Sequence, residues 1–148
     1  MKSPVFVIPG VMQAMQASHK AIEEKLPAKL IQLVAQRASQ VNGCSVCVDM
    51  HWKMLKKLGE TDERMHAIAA WRHTPYFTPA ERAALALTEA LTRIADAPDP
   101  VPDALWAEAA RHYDETQMAA LIVAIANINV WNRLNVAVGQ IVGEWKPA

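Results

Sequence analysis

The stretch Asn42–Gly59, NGCSVCVDMHWKMLKKLG, is marked by glycine near either end and holds both cysteines of the chain. At about 100° per residue on a helix, Cys44, Cys47 and His51 fall within an arc of roughly 60°. Met54, Leu55 and Leu58 lie on or beside that arc, whereas Asp49, Lys53, Lys56 and Lys57 point away from it. One face is apolar and the other charged, the pattern of an amphipathic helix whose sulfurs turn to the interior. Asn42-Gly43 ends the element before it and Gly59 closes this one, so a helix is predicted from about Cys44 to Leu58.

The same period recurs in both directions, and no segment shows the alternation of a half-buried strand. Upstream, a first helix is predicted from about Pro9 to Lys25. A second runs from about Pro27 to Val41, with Pro27 in the first turn, where its missing N–H costs little. Downstream, Thr61 or Asp62 caps a short fourth helix in GETDERMHAIAAWRH. In Thr78-Pro79-Ala80-Glu81 threonine caps, proline takes the first helical position and glutamate completes a capping box, opening a fifth helix to about Ile94. The stiff run Ala97-Pro98-Asp99-Pro100-Val101-Pro102 leads to a sixth helix ending near His112, and Asp114 to Gln117 can cap a long last one. The expectation is a single all-α domain over residues 1–148, of six to seven helices, with the cysteine pair at a helix N-terminus.

With 52% hydrophobic and 20% charged residues, the chain has the apolar material for a core, which argues against disorder. Fifteen basic and fifteen acidic residues cancel, so no global attraction for nucleic acid or an anionic membrane is on offer. The N-terminal MKSPVFVIPGVMQAM has a short apolar run broken by Pro4, Pro9 and Gly10, unlike a signal peptide, and the reading is a cytoplasmic protein. Met118 to Val138 approaches spanning length. Asn127, Asn129, Asn132, Arg133 and Asn135 interrupt it, each costly in hydrocarbon, so it reads as a central helix packed in protein.

In a reducing compartment, closely spaced cysteines are more often catalytic or metal-binding than a static crosslink. Cysteines at i and i+3 in a first helical turn can approach within disulfide distance, and the unpaired N–H groups and positive dipole end there favour a thiolate. An ordinary thiol, with a pKa of about 8.5, is only a few per cent ionised at neutral pH, so a nearby base matters. His51 lies one turn beyond Cys47 on the same face, which nominates Cys47 as nucleophile and Cys44 as resolving thiol. Two readings compete. C-x-x-C-x-x-x-H supplies three zinc ligands, with a fourth to come from His19, His66, His73 or His112 without any spacing that signals it. Cysteines and a histidine on an apolar face also suit a plain core helix. A phosphate-binding glycine loop, a serine nucleophile elbow and H-E-x-x-H are all missing.

The segment ASQVNGCSVCVDMH, Ala38 to His51, resembles the core motif of the alkylhydroperoxidase AhpD and carboxymuconolactone decarboxylase superfamily. LGETDERMHAIAAWRHTPYFTPAERAALALTEALT and NVWNRLNVA resemble later helices of that family, so the resemblance covers most of residues 27–138. It implies an all-helical subunit that assembles as a homotrimer or as a hexamer of two trimers. It also implies peroxidase chemistry on a hydroperoxide: Cys47 attacks the terminal oxygen, Cys44 closes a disulfide, His51 belongs to the proton relay, and a dithiol donor reopens the bond. No metal, haem or flavin is implied, and the sequence does not identify the donor. The family pattern places a glutamate twelve residues before the first cysteine, where this chain has Gln32. A neutral amide can orient an imidazole or a water but cannot carry a proton. Alternative functions are a thiol–disulfide oxidoreductase or redox sensor with weak peroxidase activity, and a decarboxylase-like enzyme that uses the scaffold without the dithiol.

Trp52, Trp71, Trp106, Trp131 and Trp145 read as core or subunit-interface residues, and Met12, Met15, Met50, Met54, Met65 and Met118 as packing. Asn132 and Arg133, set in an apolar helix, read as buried polar groups that need partners, at a subunit contact or on the active-site wall.

Overall fold

The structure, a computed structural model, describes residues 1–142, and among these every regular element is helical. The helices are α1 (Pro4–Val7), α2 (Val11–Glu23), α3 (Ala28–Asn42), α4 (Ser45–Lys57), α5 (Asp62–Ala67), α6 (Pro79–Thr92), α7 (Asp103–Ala110) and α8 (Glu115–Ala137), with 3-10 turns at Ile68–His73 and Ile94–Asp96. The all-α expectation holds, with one helix more than predicted. Pro4 opens a single turn of its own, and Gly10, at φ 86°, breaks the chain before α2. The first long helix therefore starts at Val11 rather than Pro9.

Local signals set most of the other boundaries. Thr78 and Glu81 form the predicted capping box, Thr78 N–H to Glu81 Oε2 at 2.8 Å and Glu81 N–H to Thr78 Oγ1 at 3.2 Å. Asp114 and Gln117 form a second at the start of α8. Thr61, rather than Asp62, caps α5. Pro27 sits at the cap of α3, just outside its first turn, and its carbonyl accepts from Leu30 N–H at 2.9 Å.

The hub is α3, which packs against α4, α6 and α8 and buries residues around most of its circumference. Leu33 and Val34 of α3 meet Leu55 of α4, Leu85 and Leu87 of α6, and Leu121 and Ile125 of α8 in one core. Each such side chain contributes about 1.5–3 kcal/mol by leaving water. The long last helix is thus flanking rather than central: Leu121, Ile125 and Ile128 face inward, while Val123, Val130 and Val136 are exposed. No described helix is long and apolar enough to cross a membrane.

Buried charge is matched. Burial alone would raise the Glu89 carboxyl. Hydrogen bonds from Trp71 Nε1 (2.8 Å), Arg72 and Arg37 Nε (2.7 Å) instead hold it below its ordinary value and tie the 3-10 turn to α6 and α3. Trp71 is accordingly the one fully core tryptophan among those described. Trp52 and Trp106 are exposed, which removes the core alternative of the core-or-interface reading for these two, Trp131 is half-buried, and Trp145 lies outside the described residues. Met65 and Met118 are buried, and Met12, Met15, Met50 and Met54 are half-buried.

Candidate active site

The cysteines owe their placement to how α3 stops. Gly43 adopts φ 67°, a left-handed conformation that strains residues with a side chain. Its N–H reaches Gln40 O at 3.4 Å, and the Cys44 N–H reaches Ser39 O at 3.1 Å, a Schellman closure. Cys44 is therefore the last anchor of one helix and the cap of the next, and Cys47 follows in the first turn of α4. Their Cα atoms lie 5.3 Å apart and their sulfurs are joined in a disulfide. Cys44 is 1% exposed and Cys47 0%.

His51 follows one turn later, buried, with Nδ1 2.8 Å from Gln32 Oε1 of α3. An amide oxygen only accepts, so Nδ1 carries the hydrogen and the lone pair of the neutral ring sits on Nε2. Nε2 is buried and has no hydrogen-bond partner among the described residues. Burial, and then repulsion from His19 of α2, lower the His51 pKa from 6.5 to about 3, so the ring is neutral at physiological pH. Asp49 is paired with Lys53 at 2.7 Å and belongs to the other face of α4, as predicted.

From α8, three asparagines spaced three residues apart reach three different helices. Asn129 Nδ2 donates to Thr92 Oγ1 of α6 at 3.1 Å, and Asn132 Nδ2 donates to Ser39 Oγ of α3 at 3.0 Å. Asn42 Nδ2 donates to Asn129 Oδ1 at 3.0 Å and to Asn132 Oδ1 at 2.8 Å. Asn135 Nδ2 donates to Cys47 Sγ of α4 at 3.4 Å. Asn132 thus finds its partners inside the chain. Arg133 is exposed, contrary to the buried reading, and its Nη1 returns to Asn129 O at 3.0 Å. In the sequence Asn135 reads only as a polar interruption of an apolar run, although the three-residue spacing of 129, 132 and 135 puts the amides on one stripe.

Among the described residues no group of three or more His, Cys, Asp or Glu side chains is placed to hold a metal ion. His112 instead lies 3.2 Å from Glu108, on α7.

A helical subunit with C-x-x-C at a helix start and a histidine one turn later is matched by the model of the carboxymuconolactone decarboxylase family over residues 9–90. The chain belongs to that family. It is 42% identical over 109 residues to the uncharacterized protein YdfG of Bacillus subtilis, covering 74% of this chain and 73% of that protein. It is 35% identical over 106 residues to the uncharacterized protein YnjA of Escherichia coli, 71% of this chain but only 56% of YnjA. Among solved structures, ATU0492 of Agrobacterium tumefaciens, a protein of unknown function provisionally assigned as the antioxidant defence protein AhpD, superposes with a TM-score of 0.87 at 30% identity, covering 95% of this chain and 96% of that one. The debrominase Bmp8, seen with 2,3,4-tribromopyrrole, shares the fold with a TM-score of 0.80 at 22% identity, over 92% of this chain and 72% of Bmp8.

Proposed function

We propose that the protein is a thiol-dependent peroxidase that reduces organic hydroperoxides through a reversible Cys44–Cys47 disulfide. The observation that carries this reading is the bonded cysteine pair at the start of α4, followed by a neutral imidazole whose unpartnered Nε2 is one turn from Cys47. In the reduced protein the Cys47 proton passes to His51 Nε2 as the thiolate forms, the new anion beside the ring offsetting the burial that keeps His51 neutral in the disulfide form, and the unpaired N–H groups at the helix start favour the sulfur anion. The thiolate attacks the terminal oxygen of the hydroperoxide. The O–O bond breaks, and the proton passes from His51 to the leaving alkoxide, giving an alcohol and a sulfenic acid on Cys47. The Cys44 thiol then displaces water and forms the disulfide. A dithiol donor returns the two electrons by exchange. Val46, packed with both cysteines, gives the sulfurs an apolar setting that suits an organic substrate. The resemblance to AhpD-like proteins further supports an active homotrimer or hexamer in a reducing cytoplasm.

The test is intact mass after adding a small excess of cumene hydroperoxide to the reduced protein. The native chain loses two hydrogens, Cys44→Ser gains one oxygen at Cys47, and Cys47→Ser stays unoxidised. The reverse pattern in the two variants exchanges the roles. An unoxidised native chain that still exchanges with dithiols favours the oxidoreductase alternative.

A further inference from the structure

We infer that Asn135 is a catalytic residue of the dithiol site, its side-chain amide donating a hydrogen bond that stabilises negative charge on Cys47 Sγ. The contact is Nδ2 to Sγ at 3.4 Å, made from α8 across to α4. The assignment rests on the proposed role of Cys47, but on geometry that the role did not use.

The other two amides of the stripe are structural. Asn129 and Asn132 are buried and bonded to oxygen acceptors on α6 and α3, where an unpaired amide would be expensive. Asn135 is only half-buried, so water could satisfy it, yet its side chain reaches the sulfur of a disulfide, which is a weak acceptor. Such a contact contributes little to the oxidised fold. It strengthens once the sulfur becomes an anion, because hydrogen bonds to ionised groups are roughly twice as strong as neutral ones.

The backbone beneath Asn135 is fixed. Gly139, at φ 62°, lets the chain fold back so that Gln140 N–H meets Asn135 O at 3.0 Å and Gly139 N–H meets Val136 O at 3.1 Å. The backbone that carries the donor is therefore set before charge develops, one part of what electrostatic stabilisation requires.

The charged surroundings give Cys47 little other help. On its own helix His51 carries no charge until it takes the Cys47 proton, and Asp49 and Lys53 pair with each other on the far face. On α3 the facing group is the neutral Gln32. On α2 His19 is paired with Glu23 at 3.4 Å, and on α8 Arg133 turns back to Asn129.

The test follows thiolate ultraviolet absorbance against pH in reduced Cys44→Ser protein, which needs no reagent to reach the sulfur. Adding Asn135→Leu, of similar volume but without a donor, moves the midpoint upward by about one pH unit. Asn135→Asp, which cannot donate and carries charge, moves it at least as far. Midpoints that coincide with the Cys44→Ser parent in both variants overturn the inference. The peroxide assay is a separate readout. A shifted midpoint without peroxide consumption keeps Asn135 as the thiolate's partner and removes the peroxidase, and consumption with an unmoved midpoint does the opposite.

Discussion

A carboxylate at position 32 would accept the His51 Nδ1 hydrogen and also stabilise an imidazolium, whereas the Gln32 amide does only the first. The ring is thus oriented, and position 32 does nothing to help it keep a proton. The same feature links stability to pH. Above pH 6.5 His51 is neutral whether folded or not and contributes nothing to the pH dependence. As the pH falls from 6.5 towards about 3, the unfolded chain takes up a proton that the folded one refuses, and stability drops by about 1.4 kcal/mol per pH unit from this group. Urea unfolding of the native chain across that window measures the slope. In Gln32→Glu the His51 titration followed by NMR moves to higher pH and its share of the slope shrinks. An unmoved midpoint would show that position 32 does not set the basicity of the ring. Cys44, Cys47 and His51 were legible in the sequence because their relation lies within two turns of one helix. Gln32 was found only through resemblance, and Asn135 was missed because its partner is 88 residues away.

Among the elements, α8 supplies polar cross-links to three other helices. Its asparagines tie α6, α3 and α4 to a single stripe, so losing the middle one affects a shared network. Asn132→Leu removes the acceptor for Asn42 and the donor for Ser39 at a position 1% exposed. We expect a loss of about 1–3 kcal/mol in urea unfolding, against less than about 0.5 kcal/mol for the exposed Gln13→Ala of α2. Equal effects would mean that the network is not holding the helices together. Capped helices such as α6 and α8 were readable because Thr78-Glu81 and Asp114-Gln117 act over three residues. The α1–α2 break was not, since Pro4 and Pro9 are equally acceptable helix openers and Gly10 decides between them only through its backbone angle. Nor could α8 reveal its inward face, because apolar residues occupy both sides.

At the scale of the whole molecule, that outer side remains to be accounted for. Val123, Val130 and Val136 are exposed along α8, and a cavity of about 290 Å³ lies beside them, lined by Leu91, Ile94, Ile122 and Ala126 among others. A helix apolar all round is normally covered on both faces. We expect the native chain to sediment as a trimer or hexamer and Val130→Glu to shift it towards the monomer. A native monomer across the micromolar range would remove the oligomer reading.

The seclusion of the disulfide has a kinetic meaning. Thiol–disulfide exchange depends on access to a sulfur, and Cys44 and Cys47 together offer almost none. If the pair cycles as proposed, a donor thiolate reaches either sulfur only when the packing over it opens locally. On that reading, added donor speeds reduction only up to the rate of opening, and a plateau in reduction rate against donor concentration is the expected outcome. Burial of both sulfurs would then set the lifetime of the disulfide form more than the supply of thiol does.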